Sequence, residues 1–132
     1  GNFPFFRALA KQVSSTARRR KYIRTVGQRR CNYNGADSTT LHKAPNRLIQ
    51  GGAADIMKKA IVDLWEGGWC ADDKLGAPIA VVHDELIFST KLVGDDLKLA
   101  LKGLEDTMVN AYPLTCPLHA ESNTGNSWWD IH

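Results

Sequence analysis

The chain has 132 residues, of which 43% are hydrophobic and 23% charged; this is the balance of one folded domain and excludes both a disordered tail and a pair of ordinary domains. No apolar run nears the ~20 residues that a membrane-spanning helix needs, and three scattered cysteines, Cys31, Cys70 and Cys116, make neither a disulfide framework nor a zinc site. The net charge of +3 hides a division: residues 1–47 hold eleven Lys or Arg against one acid, and residues 48–132 hold six against thirteen. So basic a first third is a candidate footprint for a polyanion, and the acidic remainder has carboxylates to offer a cation. The cysteine usage and the lack of a secretory signal favour a cytoplasmic setting, and a chain opening on Gly1 rather than Met is expected to be a processed product, an excised part or a piece of something longer.

The first predicted element is a helix over residues 4–20. Pro4 suits a first helical turn, Phe6, Leu9, Ala10 and Val13 share one face, and Arg18, Arg19, Arg20 and Lys21 complement its C-terminal end. Residues 22–33 read as extended, with a turn at Gly27-Gln28 followed by Arg29 and Arg30, and residues 34–41 as loop. A second helix runs from near Pro45 to before Gly67-Gly68, with Ile49, Ala53, Met57, Ile61 and Leu64 expected inward and Asp55 and Lys59 expected as an exposed pair. His42, Asn46 and Gln50 form a polar row beside it. Gly51-Gly52 interrupts it; each glycine costs ~1 kcal/mol in a helix interior, so either another segment approaches the backbone there or the helix bends.

Trp69 to Gly76 reads as a polar connector. Two short apolar runs, 78–82 and 86–88, then flank His83-Asp84-Glu85 and predict a hairpin of buried strands with charges at its turn. Asp95-Asp96 opens a helix to about Ala111, with Leu97, Leu101, Leu104 and Met108 as its core stripe, and residues 114–120 alternate as a last strand, where Pro117 points to a sheet edge. The fold class expected is α+β: a small antiparallel sheet, made of the 78–90 hairpin and the C-terminal strand, packed on helices.

The chemistry concentrates at two places. Adjacent carboxylates between apolar strands are costly unless a cation joins them, and Mg²⁺ is held by one or two carboxylates with phosphates completing its shell. The row His42, Asn46, Gln50 could meet base edges in a minor groove, where the acceptors are common to every base pair.

These segments resemble family A DNA polymerases, the bacterial DNA polymerase I type. NRLIQGGAADIMK (46–58) is similar to the family's N-x-x-x-Q-G-x-A-A-D-I-x-K, and VHDEL (82–86) to its palm motif of the same spelling. YIRTVGQRR (22–30) is similar to Y-V-x-T-x-x-G-R-R with the glycine displaced by one, and NSWWDIH (126–132) to the terminal N-W-x-x-A-H with one extra residue. The four segments occur in the family's order over nearly the whole chain.

The resemblance implies that Asp84, assisted by Glu85, binds catalytic Mg²⁺ and that His83 sits near the primer terminus. It implies that Asn46 and Gln50 touch the minor-groove edge of the nascent pair, that Arg29 and Arg30 contact the DNA backbone, and that His132 lies close to the active site. His42 stands where bacterial members usually have Arg and some phage replicative members have His, so the chain resembles the phage type more closely. The partners implied are primer–template DNA and deoxynucleoside triphosphates, and the reaction is two-metal attack of a primer 3′-hydroxyl that releases pyrophosphate.

Two family features are missing: the first palm carboxylate, in a D-Y-S-x-I-E-like motif, and the fingers helix that holds the nucleotide. Asp37-Ser38-Thr39 is not that first motif. The expectation is therefore residues 1–132 as the C-terminal part of a polymerase palm, inactive alone and completed by a complementary N-terminal chain or segment. The alternative is a non-catalytic nucleic-acid-binding module derived from a palm.

Overall fold

The computed structural model describes residues 4–34 and 38–131; His132 and Asp37 lie outside them. The elements run in the order α1 (Pro4–Arg20), β1 (Tyr22–Arg24), β2 (Arg30–Asn32), α2 (Ser38–Leu41), α3 (Ala44–Glu66), β3 (Pro78–Val82), β4 (Glu85–Phe88), α4 (Gly94–Asn110) and a 3₁₀ turn at Trp128–Asp130. The class is α+β, and the chain divides after Ile56 into two units. Among the described residues no helix is long and apolar enough to cross a membrane.

In the first unit the core gathers Val13, Ala17, Ile23, Tyr33, Leu41 and Ala44, with Leu9, Cys31 and Leu48 against it. The inward stripe of α1 is Leu9–Val13–Ala17, at strict four-residue spacing, so Phe6, expected inward, is 55% exposed. Lys21, with φ at 63°, ends the helix, and its carbonyl accepts from the Tyr33 N–H. The chain then enters an antiparallel pair that registers Tyr22 with Asn32, Ile23 with Cys31 and Arg24 with Arg30.

The turn of that pair lies on α3 between Gly51 and Asp55, which accounts for the glycines there. A Cβ on Gly51 would stand 2.6 Å from Thr25 Cγ2, and one on Gly27 would stand 2.9 Å from the Asp55 carboxylate. The expected pairing of Asp55 with Lys59 does not form: Asp55 binds Arg29, 2.9 Å away, and Lys59 pairs with Asp63. The turn brings Arg29 over the helix and holds it by several bonds at once, a grip that a flexible i,i+4 lysine lacks. Ile49 and Ala53, also expected inward, are exposed.

In the second unit the core is Leu64, Cys70, Leu75, Ala100 and Leu104, flanked by Trp69, Leu86, Phe88, Leu92 and Met108. The segment expected as a polar connector thus supplies Trp69, Cys70 and Leu75 to the core. The end of α3 explains why. Gly68, at φ 72°, donates its N–H to the Trp65 carbonyl, and Trp69 donates to the Leu64 carbonyl, a Schellman closure that folds Trp69 back on the helix.

Trp69 lies against α4 at Gly103, where a Cβ would stand 2.1 Å from its Cζ2. Gly103→Ala gains ~1 kcal/mol of helix propensity, yet it is expected to destabilise the chain by about 1–3 kcal/mol through overpacking. Denaturant unfolding followed by tryptophan fluorescence reads the sign, and an unchanged or raised midpoint would contradict this packing.

The hairpin β3–β4 is antiparallel, pairing Val82 with Glu85 and Val81 with Leu86, with a bulge between Pro78 and Ala80. Its strands are not buried on both faces as expected: Ile79 is 66% and Val81 52% exposed. The apolar run sets what the strand can bury, but among the described residues β3 has only β4 beside it. The predicted C-terminal strand does not form among the described residues either. Pro113 and Pro117 remove two backbone donors from that segment, which runs without regular structure to the 3₁₀ turn. An apolar strand edge left open is a pairing hazard. The isolated chain is expected to elute above monomer size, and the double substitution Ile79→Lys, Val81→Lys to shift it toward monomer; a wild-type monomer at high concentration would contradict this.

Candidate nucleic-acid and metal site

The first unit presents the polar row. Asn46 and Gln50 are four residues apart on α3, both exposed, and His42 lies exposed in the turn just before that helix. Their side chains are therefore open to a large ligand, as readers of base edges must be.

The adjoining strip of the same helix is Arg47, Gly51, Asp55, again at four-residue spacing and displaced by one position from Asn46 and Gln50. Arg29 lies across it. Its Nε donates to Asp55 Oδ1 at 2.9 Å and its Nη2 donates to the Gly51 carbonyl at 3.0 Å, while the Gly27 N–H donates to Asp55 Oδ2 at 3.1 Å. Burial raises the affinity of the Asp55 carboxyl for its proton, but hydrogen bonds from Thr25, Arg29 and Gly27 and the Arg29 charge outweigh it and hold the group below the usual carboxylate range. Asp55 is 9% exposed at its side chain, whereas Arg29 is 45% exposed. The guanidinium is thus fixed at one end and open at the other.

Arg29, Cys31, Arg47, Gln50, Gly51 and Ala54 line an open groove of about 380 Å³. Arg47 was not signalled by any motif; its place in the strip with Gly51 and Asp55 is the pattern that finds it. Its guanidinium lies 5.7 Å from the Tyr33 ring centroid, and among the described residues no carboxylate pairs with it. Arg30 points elsewhere: it stacks over the Tyr22 ring at 4.1 Å, with Arg24 at 5.7 Å from the same ring. The structure therefore brings Arg29 and Gln50 to one groove and gives Arg30 a different neighbour.

In the second unit His83 and Asp84 form the two-residue turn of β3–β4, and Glu85 opens β4. His83 has φ at 54°, a left-handed conformation that glycine adopts more readily in such turns. All three residues are exposed. The expectation that strands bury these acids is therefore corrected: the turn projects them into water, and desolvation does not call for a cation here. Among the described residues no group of three or more His, Cys, Asp or Glu could hold a metal. What fits Mg²⁺ is the donor chemistry, two neighbouring carboxylates supplying hard oxygen ligands and leaving further positions to other groups. His132 lies outside the described residues.

Comparison with known proteins gives a consistent result. The sequence profile described as DNA polymerase family A matches residues 1–130. The DNA-directed DNA polymerase of Pseudomonas phage M6 is 35% identical over 135 residues, covering 96% of this chain and 18% of that protein. DNA polymerase I of Lactococcus lactis subsp. lactis is 34% identical over 119 residues, covering 89% of this chain and 13% of that protein. A solved structure, the POL domain of Pol1 from M. smegmatis in complex with DNA primer–template and dNTP, superposes with a TM-score of 0.79 at 31% identity, covering 95% of this chain and 23% of that one. The chain thus spans less than a fifth of the length of the phage and Lactococcus relatives.

Proposed function

The chain belongs to DNA polymerase family A, and we propose from this that it is the C-terminal palm segment of such an enzyme, taking part in template-directed DNA synthesis once a complementary segment completes it. The observation that carries the reading is the ordered match over residues 1–130 together with an exposed amide row flanked by a basic groove. Its ligands are primer–template DNA and, in the complete enzyme, deoxynucleoside triphosphates, in the cytoplasm of a bacterial or phage-infected cell.

Asn46 and Gln50 donate amide N–H groups to minor-groove acceptors that every base pair presents, which tests pair shape without reading sequence. His42 adds a ring N–H beside them. Arg29, Arg30 and Arg47 neutralise phosphates. Asp84 and Glu85 supply oxygen donors to Mg²⁺, and His83 and His132 stand near the primer end. The bound metal supplies positive charge for nucleotidyl transfer to the primer 3′-hydroxyl. Two carboxylates on one turn give only part of the ligand set, so the first carboxylate and the nucleotide-holding helix come from the complementary segment. The exposed Ile79 and Val81 are the surface such a segment would cover.

Primer–template binding by fluorescence anisotropy at several salt concentrations tests the nucleic-acid half of this reading. Binding is expected to weaken steeply with salt, and Arg47→Ala to reduce the slope by ~0.9, the value for one phosphate contact. Salt-independent or undetectable binding by the assembled polymerase would contradict the reading.

A further inference from the structure

Asp55 stands one helical turn beyond Gly51 on the strip that flanks Gln50, and its side chain is only 9% exposed. Its two oxygens are used differently: Oδ2 takes the Gly27 N–H and Oδ1 takes Arg29 Nε. Arg29 in turn reaches back along the helix to the Gly51 carbonyl with Nη2. The guanidinium is therefore held at two points, with the second one on the residue next to Gln50.

The space for this arrangement is built into the sequence. A Cβ on Gly51 would come to 3.3 Å from Arg29 Nη2, and a Cβ on Gly27 would collide with the Asp55 carboxylate. Two glycines in two separate segments thus make room for one ion pair. That pair differs from a loose surface contact: one partner is enclosed, the geometry is forked, and both ends are anchored to backbone groups.

We propose that Asp55 is a positioning residue for nucleic-acid binding: it fixes the Arg29 guanidinium over Gly51 so that the exposed end of Arg29 is presented to a DNA phosphate beside Gln50. This rests on the proposed role of Arg29 as a backbone contact. An arginine fixed beforehand loses less conformational freedom on binding than a free one, so the fixing itself adds affinity.

The expected sign is opposite to that of simple electrostatics. Removing an acid beside a DNA-binding groove strengthens binding when the acid acts only through its charge. If Asp55 acts by holding Arg29, Asp55→Asn weakens binding. The measurement is primer–template affinity and its salt slope in the polymerase assembled from this chain and its complementary segment. The variants are Asp55→Asn, Arg29→Ala, Arg29→Lys and the double variant Asp55→Asn with Arg29→Ala, with thermal melting followed alongside.

Asp55→Asn is expected to weaken binding about fivefold, the scale of one hydrogen bond of ordinary strength. Arg29→Lys keeps the charge without the fork and is expected to lose nearly as much as Arg29→Ala. In the Arg29→Ala background, Asp55→Asn is expected to weaken binding no further. Equal or tighter binding by Asp55→Asn, while Arg29→Ala weakens it, overturns the inference and leaves the proposed function standing. Should Asp55→Asn fail to fold, wild-type affinity in Arg29→Lys overturns it instead. Unchanged affinity and slope in Arg29→Ala remove Arg29 from the DNA contacts, and the inference falls with that part of the reading.

Discussion

Asp84→Ala in the polymerase assembled from this chain and its complementary segment is expected to lower the rate of nucleotide incorporation by about two to three orders of magnitude. The size of the effect follows from the loss of one charged group from the reacting centre. Removing one preorganised electrostatic group from an active site costs roughly 2.7–4 kcal/mol of barrier, and each ~1.4 kcal/mol is a factor of ten in rate. Asp84 is exposed at the β3–β4 turn in this chain, so the substitution removes no packing and breaks no core contact. Melting temperature and primer–template affinity should therefore stay close to wild type while incorporation collapses. A variant that loses both together would show Asp84 to be structural, and one that keeps its rate would take Asp84 out of the metal set.

Gly51→Val is expected to have the second largest effect, and it acts on the other unit. The first carbon of the new side chain would stand 2.6 Å from Thr25 Cγ2 and 3.3 Å from Arg29 Nη2. Thr25 is 2% exposed and cannot swing into solvent, so either the β1–β2 turn lifts off α3 or the helix shifts. Overpacking of this kind costs about 1–3 kcal/mol, and the lost Arg29 contacts add to it. The melting temperature should fall, and the salt slope of DNA binding should fall with it because Arg29 loses its anchor. Gly52→Ala is the control: its Cβ would meet Val26 Cγ1 at 3.6 Å, an ordinary contact, and stability should hold or rise. Equal effects at the two glycines would contradict the close approach at Gly51.

The helices were legible in the chain because their signals are local. Leu97, Leu101, Leu104 and Met108 predict α4; the structure buries Leu104, half-buries the other three and adds Ala100 to the core. The ends of α3 follow from Pro45 and from Gly68, whose positive φ closes the helix. Spacing tells which residues share a face, however, and not whether anything covers it. Phe6, Ile49 and Ala53 fit a helical stripe and still face outward, and Ile79 and Val81 read as buried yet stand exposed.

Contacts between distant segments were the hardest to read. Gly51-Gly52 announces that some backbone or side chain comes close, but nothing in the local pattern names Thr25 and Arg29 as the visitors. Asp55 has a suitable lysine four residues on, and only the folded turn, 26 residues away in sequence, supplies the better partner. The candidate site divides in the same way. His83, Asp84, Glu85, Asn46 and Gln50 come straight from short motifs, whereas Arg47 gains its place from the groove it lines. The burial argument for the acidic turn failed because two apolar strands need not enclose the residues that join them.

Primer extension in Mg²⁺, with this chain alone, the complementary segment alone, and the two mixed, tests the central claim most directly. Neither part is expected to extend a primer by itself, and the mixture is expected to give template-directed extension. Extension by this chain alone, or none by a mixture shown to co-elute and to bind primer–template, would contradict it.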